Sequence, residues 1–203
     1  MWLDAAYEIF IEKGIESVRV MPLSKQLNLS RTSFYWFFED REHLLRSLIE
    51  RWRSKNTGNL VRQAEAYAET IAEAMLNVFD CWLNTALFDS QFEFAMRSWA
   101  LQSTEVSEEI TLADTARLKA LRLMFERFGF DTMSADVRAR SIYLTQIGYI
   151  SMKAQENIIE RFKRIADYVE IFAGQRPEQR ELDRFFARHG YGVNADGEFV
   201  ELK

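Results

Sequence analysis

Helix-breaking residues are scarce in this chain. Its 203 residues include only 2 Pro and 8 Gly, and these two residue types most often interrupt regular structure. Apolar residues recur instead at intervals of three and four over long stretches, the spacing that places them on one face of a helix. The pattern contains no convincing strand and predicts an all-α fold.

The positions of the predicted helices follow from this spacing and from candidate capping residues. An N-terminal helix is expected to end at Gly14, and Asp40 is expected to cap a fourth helix. One long amphipathic helix is predicted from Leu60 to Trp82. Further helices are predicted after a cap at Asp89, over 106–128, from a cap at Ser134 to about Met152, from about Asn157 to Gly174, and over 177–188. The tail from Gly190 is expected to have little regular structure.

The best candidate domain boundary is the stretch 55–58, Lys-Asn-Thr-Gly. We expect residues 1–56 to form one domain, 57–189 a second, and 190–203 a C-terminal tail. The net charge of -5 argues against a protein that coats nucleic acid indiscriminately. Residues 1–56 carry nine Lys/Arg against eight Asp/Glu, whereas the remaining 147 residues carry a net charge of -6. A near-neutral N-terminal domain followed by an acidic domain suits a DNA-binding protein whose second domain is repelled by the DNA phosphates.

The single cysteine, Cys81, cannot form an internal disulfide. The sequence therefore gives no reason to place the chain outside a reducing cytoplasm. A buried inert thiol and a redox sensor are the two interpretations of Cys81. No apolar run approaches the roughly 18 residues of a membrane span, and the first residues do not resemble a signal peptide. We expect a cytoplasmic protein that does not associate with membranes.

Three short helical segments occupy the first forty residues, with a tight turn between the second and the third. Pro22 allows the second helix to begin nearby, and Asn28 tolerates the positive φ of a sharp turn. Ser30 fits the N-cap of a third helix over 31–37. This arrangement predicts a helix-turn-helix, in which the second helix of the motif enters the major groove of DNA.

Residues 3–52 resemble the N-terminal domain of the tetracycline-repressor (TetR) family. The family pattern has an Ala-Ala pair, a Phe, a Gly, a Gly-x-Ser turn, a Tyr-x-His-Phe run and an Asp-Lys-x-x-Leu. The matching positions here are the pair Ala5-Ala6, Phe10, Gly14, the stretch 23–38 (LSKQLNLSRTSFYWFF) and the stretch 39–45 (EDREHLL). The resemblance implies a dimeric transcriptional regulator with an N-terminal helix-turn-helix and a helical body.

The chain departs from the family pattern at several positions. Asn28 stands in place of the turn Gly, Phe37 in place of the His, and Arg41 in place of the Lys. Arg19 occupies a position where Ser or Thr usually caps the second helix. The backbone N–H groups at the start of that helix are therefore expected to be less well satisfied. The sequence begins inside helix 1, where family members usually have a basic arm. Its loss is expected to lower DNA affinity without abolishing groove reading.

The opening of the predicted third helix supplies the candidate base contacts. Arg31 can pair bidentately with guanine, and the short side chains beside it can approach base edges. The resemblance assigns Tyr35, Trp36 and Arg41 to the sugar–phosphate backbone. The alternative is that the two rings are core, as the spacing predicts for Phe34, Phe37 and Phe38. The predicted DNA-binding residues are Ser30, Arg31, Thr32, Ser33, Tyr35, Trp36 and Arg41.

A small-molecule cavity is predicted in the body, where the resemblance implies one among the middle helices. Large apolar side chains concentrate between residues 79 and 99, and ligand pockets are mostly apolar and aromatic. The predicted lining residues are Phe79, Trp82, Phe88, Phe92, Met96 and Trp99. The alternative is an ordinary core, which an aromatic stripe at helical spacing more often indicates. Arg97 and Gln102 are candidate polar contacts.

A dimer interface is predicted on the last two long helices, where the resemblance places a four-helix interface. Apolar residues recur at intervals of four, three and four from Ile158 onwards, and small residues on the preceding helix allow close approach. The predicted interface residues are Leu144, Gly148, Ser151, Ile158, Phe162, Ile165 and Val169. The alternative is that these side chains are buried against the body of their own protomer.

The sequence is best interpreted as a non-enzymatic, sequence-specific DNA-binding regulator. We expect a repressor that binds a pseudo-palindromic double-stranded operator as a homodimer, associates with the nucleoid when DNA-bound, and is released by a small apolar effector. No cofactor or metal is expected, because the chain has only 2 His and no P-loop, HExxH or Cys pair. Asp40 and His43 are expected to be a helix cap and a solvated side chain.

Two alternatives are distinguishable in a structure. A ligand-independent DNA-binding protein would lack a cavity in its body. An all-α enzyme or ligand-binding module that merely shares the bundle would be favoured by a dry, charge-paired polar cluster in the core. The sequence itself shows no such cluster.

Overall fold

The computed structural model describes residues 1–202 of the chain. The helices are α1 Trp2–Lys13, α2 Val20–Leu27, α3 Arg31–Phe34, α4 Arg41–Trp52, α5 Asn59–Glu65, α6 Ile71–Leu83, α7 Ser90–Ala100, α8 Thr104–Arg127, α9 Thr132–Ser151, α10 Ile158–Ala173 and α11 Gln179–Arg188. The predicted all-α fold is confirmed. Within residues 1–202 no helix has the length and apolar character needed to cross a membrane.

Side-chain caps set the beginning of most of these helices. The Asp40 carboxylate accepts a hydrogen bond from the backbone N–H of His43 at 2.7 Å, and Asp89 caps α7 in the same way. Both caps were predicted, and each satisfies a backbone donor that the first helical turn leaves without a partner. The predicted cap at Ser134 is wrong. Asp131 caps α9 instead, accepting from the backbone N–H groups of Met133 and Ser134 at 3.0 Å.

The single long helix predicted from Leu60 to Trp82 is also wrong, because α5 ends at Glu65 and α6 begins at Ile71. Thr70 caps α6 through a 3.0 Å hydrogen bond from the backbone N–H of Glu73 to its hydroxyl. The carboxylate of Glu73 in turn accepts from the backbone N–H of Glu69 at 2.8 Å. Apolar spacing alone did not reveal the break, because the periodicity continues across it.

The chain stays helical through the predicted domain boundary. A π-helical turn, Arg53–Gly58, joins α4 to α5, so that residues 41–65 form one helical rod. The wider turn directs Asn56 and Thr57 into the interior, where both are buried. Single π-helical turns are rare and often occur at functional positions.

Two apolar cores lie on either side of this turn. The first is built by α1–α4 together with α7 and the first half of α8, and it includes Phe92 and Met96. Phe92 packs edge-to-face on Tyr7 and on Phe10 of α1, with ring centroids 5.1 and 6.1 Å apart. The second core is built by α5, α6, the second half of α8, α9, α10 and α11. Helix α7 therefore belongs structurally to the N-terminal core, although it lies beyond the predicted boundary in sequence.

The C-terminal tail contains regular structure, contrary to the expectation. Strands β1, Tyr191–Val193, and β2, Phe199–Glu201, pair as an antiparallel hairpin. The hairpin packs on Phe162 of α10, with ring centroids 5.3 Å from Tyr191 and 5.5 Å from Phe199. The strands are only three residues long, so the alternation that identifies strands in a sequence is too short to be recognised.

Candidate DNA-binding surface and effector cavity

The turn between α2 and α3 has the geometry of a helix-turn-helix. Asn28 lies in the left-handed region at φ 52° and ψ 43°, as the sequence predicted. The N–H of the following residue, Leu29, returns to the carbonyl of Ser24 at 2.9 Å and closes the end of α2. Arg19 supplies no side-chain cap to α2, which was also expected.

The rings after α3 project into solvent. Tyr35, Trp36 and Phe37 are 53%, 78% and 58% exposed. Phe34, by contrast, is fully buried and packs edge-to-face on Trp2 at 5.3 Å. The core alternative for Tyr35 and Trp36 therefore does not hold, and the prediction that Phe37 is core is wrong.

The predicted contact residues divide into exposed and internally bonded groups. Arg31 and Thr32 are exposed. Ser30 caps α3 by accepting from the backbone N–H of Ser33 at 3.2 Å. Ser33 is buried and donates its hydroxyl to the carbonyl of Ser30 at 2.8 Å. These two serine hydroxyls shape the start of α3, whereas Arg31 and Thr32 project from it with exposed side chains.

Arg41 is engaged inside the domain. Its Nε donates to the carbonyl of Val18 at 2.7 Å and its Nη2 to the carbonyl of Ile15 at 3.1 Å. These carbonyls belong to the 3₁₀ turn Ile15–Ser17 and the residue that ends it. The guanidinium thus fastens the start of α4 to the segment between α1 and α2, an intramolecular role that sequence spacing did not indicate.

A buried polar network joins the helix-turn-helix domain to the body. We call it the junction cluster, and its members are Trp52, Asn56, Thr57, Glu93, Arg97, Asp114, Arg117 and Tyr143. At its centre, Glu93 and Arg117 are both completely buried and bonded at 2.7 and 3.1 Å. Trp52, at the end of α4, donates its indole N–H to Glu93 at 2.7 Å.

The charges of the junction cluster balance. Burial disfavours the ionised forms of Glu93 and Arg117, but their mutual attraction outweighs it, so the pKa of Glu93 is lowered and that of Arg117 is raised. Arg97 binds Asp114 at 2.5 Å and completes a second ion pair. Tyr143 bridges the pairs by donating to Asp114 at 2.6 Å and accepting from Arg117 at 2.8 Å. Because buried charges need such partners, the cluster fixes the relative position of α4, α7, α8 and α9.

Comparison with known proteins identifies the N-terminal domain. Residues 3–48 match the model for "Bacterial regulatory proteins, tetR family". These residues therefore have the sequence pattern of a TetR-family N-terminal domain. A sequence comparison with curated proteins finds no match.

Solved structures share the TetR-like fold over most of the chain. The fatty acid degradation regulator FadR from Bacillus halodurans superposes with a TM-score of 0.61 at 15% identity, covering 85% of this chain and 93% of FadR. AmtR from Mycobacterium smegmatis gives 0.57 at 13% identity, covering 93% and 92%. A protein assigned to the TetR family from Mesorhizobium loti gives 0.56 at 14% identity, covering 95% of each chain. At these identities the likeness concerns the fold.

The chain contains a cavity of about 880 Å³ between its two cores. One wall comes from the end of α1 and the 3₁₀ turn, within the helix-turn-helix domain. The other walls come from α7 and from the end of α9 with the loop that follows it. Its lining includes Phe10, Ile11, Ile15, Phe94, Trp99, Gln102, Gln146, Tyr149, Ile150, Lys153 and Arg161. A volume of this order suits a small organic ligand.

A second cavity of about 50 Å³ lies between α6, α9 and α10. Gln146, Tyr149, Glu156 and Arg161 line both cavities and therefore separate them. Sequence reasoning missed all four. Gln146 alone carried a signal, since it interrupts the apolar series of Ile142 and Ile150 on the inner face of α9.

The structure separates the six predicted ligand-lining residues. Trp99 lines the larger cavity, and Phe79 and Trp82 line the smaller one. The other three line neither cavity and are buried in packed interiors: Phe88, Phe92 and Met96. Arg97, the predicted polar contact, belongs to the junction cluster, whereas Gln102 lines the larger cavity.

The predicted interface residues are separated in the same way. Phe162, Ile165 and Val169 are buried within the protomer, which agrees with the alternative that they pack against its own body. They are therefore not available to a partner. Leu144 is 61% exposed, and Ser151 is also exposed. The remaining two, Gly148 and Ile158, are half-buried. Exposed apolar side chains in this region include Val137 and Leu144 on α9 and Ile171 on α10.

Cys81 is buried, and burial raises the pKa of its thiol to about 12. A thiol with this pKa has almost no thiolate at neutral pH, which favours the inert interpretation over the redox sensor.

Proposed function

We propose that this chain is an effector-controlled repressor that binds a pseudo-palindromic operator as a homodimer. The observation that carries the proposal is the placement of the larger cavity. Its walls come from both the helix-turn-helix domain and the body. A ligand in this cavity contacts both parts at once, so its binding energy depends on the angle between them.

The DNA contacts in this proposal come from the exposed residues around α3. Arg31 and Thr32 read bases, while Tyr35 and Trp36 contact the sugar–phosphate backbone. Ser30 and Ser33 position the helix, and Arg41 holds the domain together rather than gripping a phosphate. The exposure of Tyr35 and Trp36 supports this assignment, since exposed rings of this size are uncommon without a partner.

In this proposal, the dimer is released from DNA when the distance between the helix-turn-helix domains of its two protomers changes. A dimer reads two half-sites about 34–36 Å apart, and a small rotation of each head changes that spacing. The rod of residues 41–65 and the junction cluster couple the head to the body. An effector that prefers the rotated arrangement shifts the population away from the DNA-binding form.

The junction cluster bears on the enzyme or binding-module alternative, which such a cluster was expected to favour. Its charged groups are bonded to one another and to α4 and the π-helical turn, and none of its members lines either of the two cavities. This geometry supports a mechanical link between domains. We therefore propose a regulatory, non-enzymatic role.

A salt-titrated binding assay tests the proposal. The full chain is titrated against DNA from beside its own gene, with random DNA as competitor. We expect one dimer per site and a preference over random DNA of roughly a thousandfold or more. The Arg31→Ala variant should lose about 1–3 kcal/mol at one base pair, whereas Lys119→Ala, a cation change on α8 in the body, should bind as the wild type does. Equal binding of specific and random DNA at every salt concentration would show that the chain is not a sequence-specific reader.

A further inference from the structure

The wall between the two cavities contains an arginine that no carboxylate neutralises. Arg161 lies half-buried on α10 and lines both cavities. Among residues 1–202, no Asp or Glu lies within 4.0 Å of its guanidinium, and its one hydrogen bond is from Nη1 to the carbonyl of Trp82 at 3.3 Å. Burial without a paired anion lowers the pKa of Arg161, whereas the buried Arg97 and Arg117 have raised pKa values because acids face them.

The nearest acid is engaged elsewhere. Glu156 lines both cavities, but it is bound by Arg164 at 2.7 Å. The charge of Glu156 is therefore partly offset by Arg164, which reduces its repulsion of an anion that approaches Arg161. Lys153 also lines the larger cavity, with its Nζ 4.2 Å from the centre of the Phe94 ring, and the far wall of this cavity carries Glu12, Lys13 and Glu16.

A second unpartnered group lies beside this arginine. Gln146 is only 7% exposed and lines both cavities, yet in the described part of the chain its side-chain amide makes no hydrogen bond. Trp82, which lines the smaller cavity, has a buried indole N–H that also has no acceptor. Buried polar groups are rarely left unpaired, because losing water without a replacement partner costs free energy. Gln146 and the Trp82 indole are therefore polar groups in the cavity lining that have no hydrogen-bond partner within the described residues.

We propose that a small organic carboxylate with an apolar body binds where the two cavities meet, with its carboxylate on Arg161 and Gln146 and its body against Phe94, Trp99 and Ile150. The guanidinium fork matches the two oxygens of a carboxylate, and one arginine with one neutral amide suits a single negative charge better than a phosphate dianion. The volume of about 880 Å³ accommodates a body of roughly drug size.

This inference names the class of effector and rests on the proposed function only for the consequence on DNA. A carboxylate at this position anchors on α9 and α10, while its apolar body reaches Phe10 and Ile15 in the helix-turn-helix domain. The ligand thereby connects the helix-turn-helix domain to α9 and α10 of the body.

Binding of defined probes to the full chain tests the site. Calorimetric titration with 1-naphthaleneacetate and with decanoate is compared with titration of the uncharged partners, 1-naphthaleneacetamide and decanamide. We expect at least one acid to bind in the micromolar range and about tenfold or more tighter than its amide. Equal affinity of acid and amide, or no binding of either acid below about 1 mM, would overturn the proposal.

Variants locate the binding. Arg161→Gln should weaken acid binding about tenfold or more and leave amide binding unchanged, and Arg161→Lys should recover part of the loss. Lys163→Gln, an equal change of charge at an exposed position of the same helix, should bind the acid as the wild type does. Wild-type affinity in Arg161→Gln would overturn the assignment.

A filling variant covers the case in which Arg161→Gln does not fold. Ser98→Trp places a large ring in the larger cavity from an exposed position and should abolish binding of both acid and amide. Unchanged binding in this variant would likewise overturn the proposal. Operator affinity is then measured with and without the acid. Acid binding that leaves operator affinity unchanged supports the carboxylate site but refutes its role as the effector site. Specific operator binding by a chain that does not bind the acid refutes the carboxylate site and leaves the proposed DNA-binding function standing.

Discussion

Trp52 and Glu93 meet across the boundary between the helix-turn-helix domain and the body, where the indole N–H donates to the buried carboxylate at 2.7 Å. Trp52 ends the helix that begins beside the reading surface, and Glu93 lies on α7. The same carboxylate also binds Arg117 of α8 and Asn56 of the π-helical turn. A shift of α4 relative to α7 therefore breaks hydrogen bonds to a fully buried carboxylate, which opposes a gradual change in the angle between the two domains.

Removing the charge at the centre of the junction cluster should destabilise the fold. Glu93→Gln leaves the buried guanidinium of Arg117 without its main anion, since Asp114 lies 3.9 Å away. We expect the free energy of unfolding to fall by about 3–5 kcal/mol, measured by urea denaturation. Glu160→Gln removes the carboxylate of an exposed ion pair with Lys163 and should leave the free energy of unfolding nearly unchanged. Similar stabilities of the two variants would show that the buried pair contributes little.

The stability contributed by Glu93 should depend on pH in the acidic range. The pKa of Glu93 in the folded chain lies below the ordinary value of 4.5. Its contribution is therefore complete above the unfolded pKa and is lost as pH falls through the folded pKa. We expect the stability difference between wild type and Glu93→Gln to be constant above about pH 5 and to shrink as pH falls below about 4.5. A difference that stays constant down to about pH 3 would contradict this assignment.

The helix-turn-helix was predictable because its determinants are local. Asn28 at a positive φ, the caps at Ser30 and Asp40, and the buried Phe34 each depend on residues a few positions away. The body was less predictable. Glu93 and Arg117 lie 24 residues apart and on different helices, so no local pattern shows that they pair.

The candidate site was predicted only in part for the same reason. Aromatic spacing indicated both Trp99, which lines the larger cavity, and Phe92, which fills the core beneath α1, and it could not separate the two. Arg161 gave no local signal, because the absence of an ion-pair partner is a property of the assembled fold. The periodic stripe of α10 identified a buried face, and the structure shows that the burying partners include α11 and a hairpin that the sequence did not predict.

Arg41 should matter more for stability than for phosphate binding. Its bonds to the carbonyls of Ile15 and Val18 are charge-assisted and partly buried. Arg41→Ala is expected to lower the free energy of unfolding by about 1–2 kcal/mol, measured by chemical denaturation. Arg46→Ala, at an exposed position of the same helix, is the matched control and should be nearly neutral. If Arg41→Ala has the same free energy of unfolding as Arg46→Ala but binds every DNA sequence more weakly, then Arg41 contacts a DNA phosphate instead.

The exposed face of α9 should form the dimer contact. Val137 and Leu144 are 54% and 61% exposed, and they share this face with Ser141 and Gly148, where an added Cβ would meet open space. A two-fold interface uses the same residue twice, so each substitution acts on both protomers. Leu144→Asp is expected to raise the dimer dissociation constant by about a hundredfold or more, measured by sedimentation over a concentration series. Leu112→Asp introduces the same charge at a leucine of α8 that is 63% exposed, and it should leave the dimer intact. If the dimer persists in Leu144→Asp but dissociates in Leu112→Asp, the interface lies on α8 instead. The two helix-turn-helix domains would then be spaced differently.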